Sequence, residues 1–414
     1  MKVNETYQKE ISALLTLPEV QKALKFLEDD AEATLAQQVT ITEIPSPPFK
    51  ETARATYFME ALKKLNINIS KLDEVGNSVG IYGDKSSGPT LLASAHIDSV
   101  FDEGTDVSVT VKDGIYYAPG IVDDARGLAA TLSIIRALNH AGIELGGNLM
   151  IGGNVGEEGP GDLRGIKHLF KTHSDIDGFI SIDGQSHEEI LFKGTGSFRY
   201  LYEFSAPGGH SFGNFGRPSA VHAAGRLIAK IADLPVSKVP KATFNVGVVE
   251  GGTLMTAIAE KCILQVDLRS DDAGVLKEMD ETVQNFVKVA IIEENKRATD
   301  TGIPVTVKTT KIGNRPAGSQ PDDSPIVKIA AMATAELGFT PILLEGASST
   351  DANLPISLGI PALCLGAGGH SENAHSLNEW FDPTNAHFGP QRVLLVILAL
   401  LGVKGKTESL LEKR

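Results

Sequence analysis

Residues 89–99 read PTLLASAHIDS, an uncharged run of strand length, 89–95, followed closely by a histidine and an aspartate. The run is too continuously apolar to show water one face, so it reads as a strand buried on both sides. Similar runs follow at 148–155 (NLMIGGNV), 178–182 (GFISI), 340–345 (TPILLE) and 360–366 (IPALCLG). Helical patterns separate them, as after Asp124, where Leu128, Leu132 and Ile135 form one apolar stripe. Such alternation specifies an α/β fold, a mostly parallel central sheet with helices on both faces. In open sheets of this kind ligands collect at the carboxyl ends of strands. The polar clusters stand there: His96 and Asp98, the GEEG of 156–159, and Asp183 with Gly184.

Between Gly194 and Ile312 the pattern changes to strand (198–204), helix (218–232), strand (243–249), strand (258–268), helix (272–296) and strand (303–311). This βαββαβ order describes a self-contained α+β unit inserted into the sheet domain. The expected division is therefore a discontinuous domain of residues 1–193 and 313–414, and an insert of residues 194–312. NRPAGSQPDDSP (314–325) has the composition of a return linker.

The 414 residues suffice for a large core and a further module. Fifty-two acidic against 38 basic side chains leave a net charge of -14, with no basic patch to attract nucleic acid or anionic lipid. The longest apolar run, Val393 to Leu401, is too short for a bilayer and reads as one buried helix. With no apolar signal stretch near Glu5 and Glu10, the expected location is the cytoplasm. Cys262 and Cys364 lie in strand-like segments and are expected as buried, reduced thiols.

The chemistry gathers around carboxylates. Asp98, two residues beyond His96, lies on the same side of an extended segment, where its carboxylate can take the second imidazole N–H. Asp123 and Asp124 (GIVDDARG) precede a helix, and Glu157 and Glu158 (NVGEEGPGD) follow a strand. Four acids converging without counter-charge would cost several kcal/mol per unpaired ion, about the scale of a buried charge. No lysine or arginine cluster is evident in the sequence, so bound divalent metal is the expected remedy. Taken singly, each feature has a plainer reading: a helix cap at Asp123 or Asp124, a solvated glutamate turn, a turn aspartate at 183.

Together, SAHIDS, PGIVDDARG, GEEGPGD, SIDG, GGHSFGNFGRPSA, GGT, DLRS, SSTDAN and AHSLNEW, in that order, resemble the M20 metallopeptidases, which include peptidase T, carboxypeptidase G and aminoacylase. The resemblance runs from IPSPPFKE (44–51) to AHSLNEW. It implies two Zn²⁺ ions, with Co²⁺ or Mn²⁺ as substitutes, bridged by Asp123. His96 and Asp183 would complete one site, Glu158 and His375 the other. Two such ions would be balanced by three ligating carboxylates and one hydroxide, the position left by the protein ligands on each being the one for shared water. The resemblance also implies a cis peptide at Asp123–Asp124 and Glu157 as the general base, with Asp98 also in the catalytic set. In the insert, read as a lid carrying a homodimer interface, His210 would stabilise an oxyanion in the partner subunit's site and Arg269 would pair with a substrate carboxylate. Thr256 stands where the family often has Asn. The implied activity is hydrolysis of the terminal peptide bond of short peptides by a metal-bound hydroxide. Asp183 tilts the reading toward aminopeptidase or dipeptidase. Carboxypeptidase or N-acyl-amino-acid deacylase activity is the alternative, and an inactive metal- or peptide-binding protein the remote one.

Overall fold

The computed structural model describes residues 2–300, 302–344 and 348–414. The chain divides into two units, residues 1–194 with 319–414, and residues 195–318.

The first unit is built on a seven-stranded sheet. Its order is Ser78–Tyr82, Asn148–Asn154, Thr90–His96, Gly178–Ile182, Ala362–Leu365, Glu189–Leu191, Ile342–Leu344. Four pairings are parallel. Two are antiparallel, those of Ser78–Tyr82 and of Glu189–Leu191 with Ala362–Leu365. The sheet is thus mostly parallel, as expected. The TPILLE strand is shorter than the sequence suggests, and Glu345, its expected last residue, lies outside the described residues.

Side-chain alternation sorts the strands into two cores. Leu91, Ala93 and Ala95 join Leu149, Ile151, Ile180 and Leu363 in one, packed with the helices Ala125–Ala141 and Phe388–Leu401. Leu92, Met150, Phe179 and Cys364 join the other, with Ile166 and Leu169 of the helix Arg164–Thr172. Helices therefore cover both faces, and the central strands Thr90–His96 and Asn148–Asn154 are buried throughout.

The single stripe read for the helix after Asp124 understates its burial. Every residue from Ala125 to Ala137 is buried except Arg136... whose guanidinium pairs with Asp30 at 2.6 Å. The cause is an outer layer that the sequence reading did not place. The N-terminal helices Pro18–Asp29 and Ala31–Thr42 pack against its far side. A small antiparallel sheet, Thr110–Lys112, Ile115–Tyr117, Trp380–Asp382 and His370–Glu372, completes this unit.

The second unit is an antiparallel sheet in the order Ala242–Gly251, Lys261–Ser270, Gly196–Ser205, Thr306–Arg315. Tyr200, Tyr202, Phe204, Cys262, Leu264 and Val266 face a core shared with the helices Ala220–Ala232 and Ala273–Arg297. Glu294 is fully buried there, receiving Arg297, Arg226 and the Ser219 N–H. Two boundaries differ from the expectation. The strand read at 258–268 is split, because the carbonyls of Ala259 and Glu260 accept from Ala220 and Ala206 instead of continuing the ladder. The unit also ends at Gly318 rather than at 312, since pairing continues through Arg315. Both cysteines are buried free thiols.

Candidate metal centre

Parallel register places His96 opposite Asn154, so the His96 end and the Glu157–Glu158 loop emerge at the same edge of the sheet. Asp183 follows directly on the neighbouring strand Gly178–Ile182. His96 is held at both ends: its backbone N–H donates to Asp124 Oδ2 at 2.9 Å, and its Nδ1 lies 3.0 Å from the Asp98 carbonyl. A carbonyl only accepts, so Nδ1 carries the ring proton and Nε2 is left with a lone pair. This corrects the expectation for Asp98. Its carboxylate stands 3.8 Å from the imidazole and instead accepts the backbone N–H groups of Glu157 (3.0 Å) and Glu158 (2.8 Å).

The two adjacent aspartates have separate tasks. Asp124 caps the helix Ala125–Ala141, with Oδ1 on the Gly127 N–H and Oδ2 on His96. Gly127 permits that approach, since a Cβ there would lie 2.1 Å from the Ile182 carbonyl. Asp123 turns the other way, its oxygens lying 2.8 Å from His96 Nε2 and 2.8 Å from His375 Nε2. His375 Nε2 is also 3.0 Å from Glu158 Oε1. The peptide between the two aspartates is cis. His96, Asp123 and Glu158 offer donor atoms within 4.8 Å of one another, and so do His96, Asp124 and Asp183. In the second group both Asp124 oxygens already serve backbone N–H groups, leaving His96 and Asp183 as the freer donors.

The electrostatics require positive charge at this point. A lone-pair nitrogen 2.8 Å from a carboxylate oxygen is repulsive unless a proton or a cation lies between them. Burial opposes charge on His96, yet the Asp123 hydrogen bond and the nearby Asp124 and Asp183 raise its pKa well above the ordinary value. Hydrogen bonds to Asp123 and Glu158 push His375 up to about 11. Burial would raise Asp123, but its two histidine hydrogen bonds hold it below the usual carboxylate range. Burial, reinforced by Asp123, Glu158 and Asp351, pushes Asp183 up to about 7. Carboxylates and imidazoles so arranged are the nitrogen and oxygen donors that a divalent first-row metal takes, and this donor set fits a metal pair.

Two supporting residues escaped the sequence reading. Arg54 is 1% exposed; its guanidinium donates to the carbonyls of Ile44, Ile97 and Thr42. Burial lowers its pKa to about 10, so it stays charged, and Asp98 and Asp124 feel it as a counter-ion. The acids therefore do have one buried cation beside them, which ETARATYF gave no sign of. Glu379, inside AHSLNEW but given no role there, is fully buried and accepts the N–H groups of Gly120, Val122 and Asp123.

His210, Arg269 and Thr256 all belong to the second unit. The short strands Gly209–His210 and Ala257–Ile258 pair, and the Thr256 carbonyl accepts the Ser211 N–H at 2.9 Å. The His210 ring is exposed. Its Nδ1 accepts from Phe212 (3.3 Å) and Gly213 (3.2 Å), which puts the ring proton on Nε2. Arg269 Nε donates to Asp267 at 2.6 Å, while its terminal nitrogens make no hydrogen bond among the described residues.

The chain is 25% identical over 418 residues to the N-formyl-4-amino-5-aminomethyl-2-methylpyrimidine deformylase of Halalkalibacterium halodurans, covering 88% of this chain and 94% of that one. Its fold is similar to that of a tripeptidase from Staphylococcus aureus, with TM-score 0.73, 22% identity and coverage of 89% and 97%. An aminopeptidase from Bacillus cereus gives TM-score 0.71, 21% identity and coverage of 89% and 98%. The family model for peptidase family M20/M25/M40, whose members are metal-dependent hydrolases, matches residues 92–398, and the chain belongs to that family.

Proposed function

We propose that this hydrolase is a two-zinc exopeptidase of the aminopeptidase or dipeptidase type, releasing the terminal residue of short peptides. His96, Asp123 and Asp183 would hold one ion, and Asp123, Glu158 and His375 the other. The observation that carries the reading is Asp123, set between two imidazoles with one oxygen toward each. Bound there, the ions supply Lewis acidity for the amide carbonyl and acidify a water.

The chain's own residues do the rest. Glu157, buried beside Glu158 on the loop that Asp98 holds, takes the proton of the attacking water and returns it to the leaving amine. His210, with its ring proton on Nε2, donates to the oxyanion that develops in the partner subunit's site. Arg269, whose terminal nitrogens make no hydrogen bond among the described residues, takes a substrate carboxylate. Thr256 holds the His210 loop through its backbone and offers a hydroxyl to the same substrate. A homodimer through the second unit is supported by exposed apolar side chains beside His210, Phe212 at 88% and Met255 at 98%. Light scattering of the purified protein tests it.

The deformylase relative favours a second reading, in which the scissile amide belongs to an N-acyl compound rather than to a peptide with a free amino terminus. Protein reconstituted with Zn²⁺, Co²⁺ or Mn²⁺ and offered free and amino-blocked dipeptides separates the two. Cleavage of the free dipeptide is expected. Cleavage of the blocked substrate alone would transfer the assignment to deacylase or carboxypeptidase.

A further inference from the structure

We propose that Glu379 is a positioning residue for the metal pair. It holds the Asp123 loop against the His375 loop and so sets the affinity for the ion on the His375 side. The inference rests on the two-metal reading above.

The two ligands come from positions 252 residues apart, and something must fix one relative to the other. His375 does not fix itself: its side chain is 55% exposed and its backbone is in the left-handed region at φ 63°. Its neighbours do. The strand Trp380–Asp382 pairs with Ile115–Tyr117, with Trp380 opposite Tyr117. One residue beyond that ladder on each side, the Ala118 N–H donates to the Glu379 carbonyl at 3.2 Å. There the backbone pairing stops and the Glu379 side chain takes over. Oε2 accepts Gly120 at 2.9 Å, and Oε1 accepts Val122 at 2.8 Å and Asp123 at 3.3 Å. The carboxylate thus grips the segment leading to Asp123, four residues after the histidine that Asp123 faces.

Both oxygens act as acceptors, so the grip needs a carboxylate. Glutamine has the same shape, but its amide NH₂ would point a donor at a backbone donor and lose at least one of the three bonds. Supporting groups of this kind typically change metal affinity by about 10–100-fold. Asp123 serves both ions, but Arg54 and Asp98 brace the His96 side separately, so the larger effect should fall on the ion of the His375 side.

The test is calorimetric titration of the metal-free full chain with Zn²⁺ and, for its visible spectrum, Co²⁺. It compares wild type, Glu379→Gln and Glu379→Asp, the last keeping the charge but drawing it back by one methylene. Circular dichroism establishes that each is folded. Wild type should bind two ions. The variants should bind the second ion about 10–100-fold more weakly and the first with a smaller loss, Glu379→Asp being the milder. Two ions bound by a folded variant with wild-type affinities would overturn the proposal, as would a lowered melting temperature with both affinities unchanged. Failure of the wild type to take up two ions would instead refute the two-metal reading.

Discussion

Replacing Asp98 with asparagine separates what its carboxylate does from what its backbone does. In the structure the carboxylate spans two N–H groups, those of Glu157 and Glu158, and Asp98 is fully buried. Asparagine can satisfy one of them; its NH₂ must face the other. The loss of one charge-assisted bond and the orphaning of one buried N–H should together cost about 2–4 kcal/mol. For a unit of this size that lowers the melting temperature of the metal-free protein by roughly 3–7 °C. The contact to His96 should survive, because it runs from Nδ1 to the Asp98 carbonyl, which the substitution leaves in place. Calorimetry gives the first quantity, and nitrogen-15 shifts of the His96 ring give the second, with the proton still on Nδ1. An unchanged melting temperature accompanied by a moved proton would refute the reasoning. It would mean that the carboxylate serves the imidazole and not the glutamate loop.

Glu157→Gln should keep its full metal content by atomic emission while turnover falls by about 10²–10⁴; undiminished turnover would remove Glu157 as the base. Gly127→Ala would put a methyl 2.1 Å from the Ile182 carbonyl and 2.2 Å from Asp124 Oδ1. A loss of about 1–3 kcal/mol is expected in thermal melts, and a neutral result would contradict the close approach. Burial would raise the Glu294 carboxyl, but bonds from Arg297, the Ser219 N–H and Arg226 hold it below the ordinary 4.5. A carboxyl depressed in the folded state contributes stability above its unfolded value, and the contribution is lost as pH falls through the folded one. Glu294→Gln should therefore cost about 1–3 kcal/mol at pH 7, its arginine partners being partly exposed, and should flatten the melting-temperature decline below pH 4.5. A decline as steep as that of wild type would assign it to other groups.

The sheet was legible in the sequence because a strand buried on both faces has no polar register to obscure it, as at LLASA and LMIGG. The βαββαβ order was legible through change of period. The N-terminal helices were not, since their burial shows only against the helix Ala125–Ala141, whose own pattern showed only a stripe. At the centre, His96, Asp123, Glu158 and His375 stood out as titratable residues in motifs. The partners that orient them did not. A backbone carbonyl, like that of Asp98, leaves no trace in residue identity. Arg54 sits on a helix where an arginine ordinarily faces water, and Glu379 in a turn where a glutamate ordinarily does. The side-chain direction of Asp98 followed from a two-residue extended spacing, but the chain leaves the strand at His96 and the rule no longer applies.

Because Asp123 and His375 are separated by 252 residues, a chain emerging from the ribosome carries an unfinished centre until the segment around Trp380 has appeared and paired with Ile115–Tyr117. On the two-metal reading proposed above, activity is thereby coupled to completion of the fold.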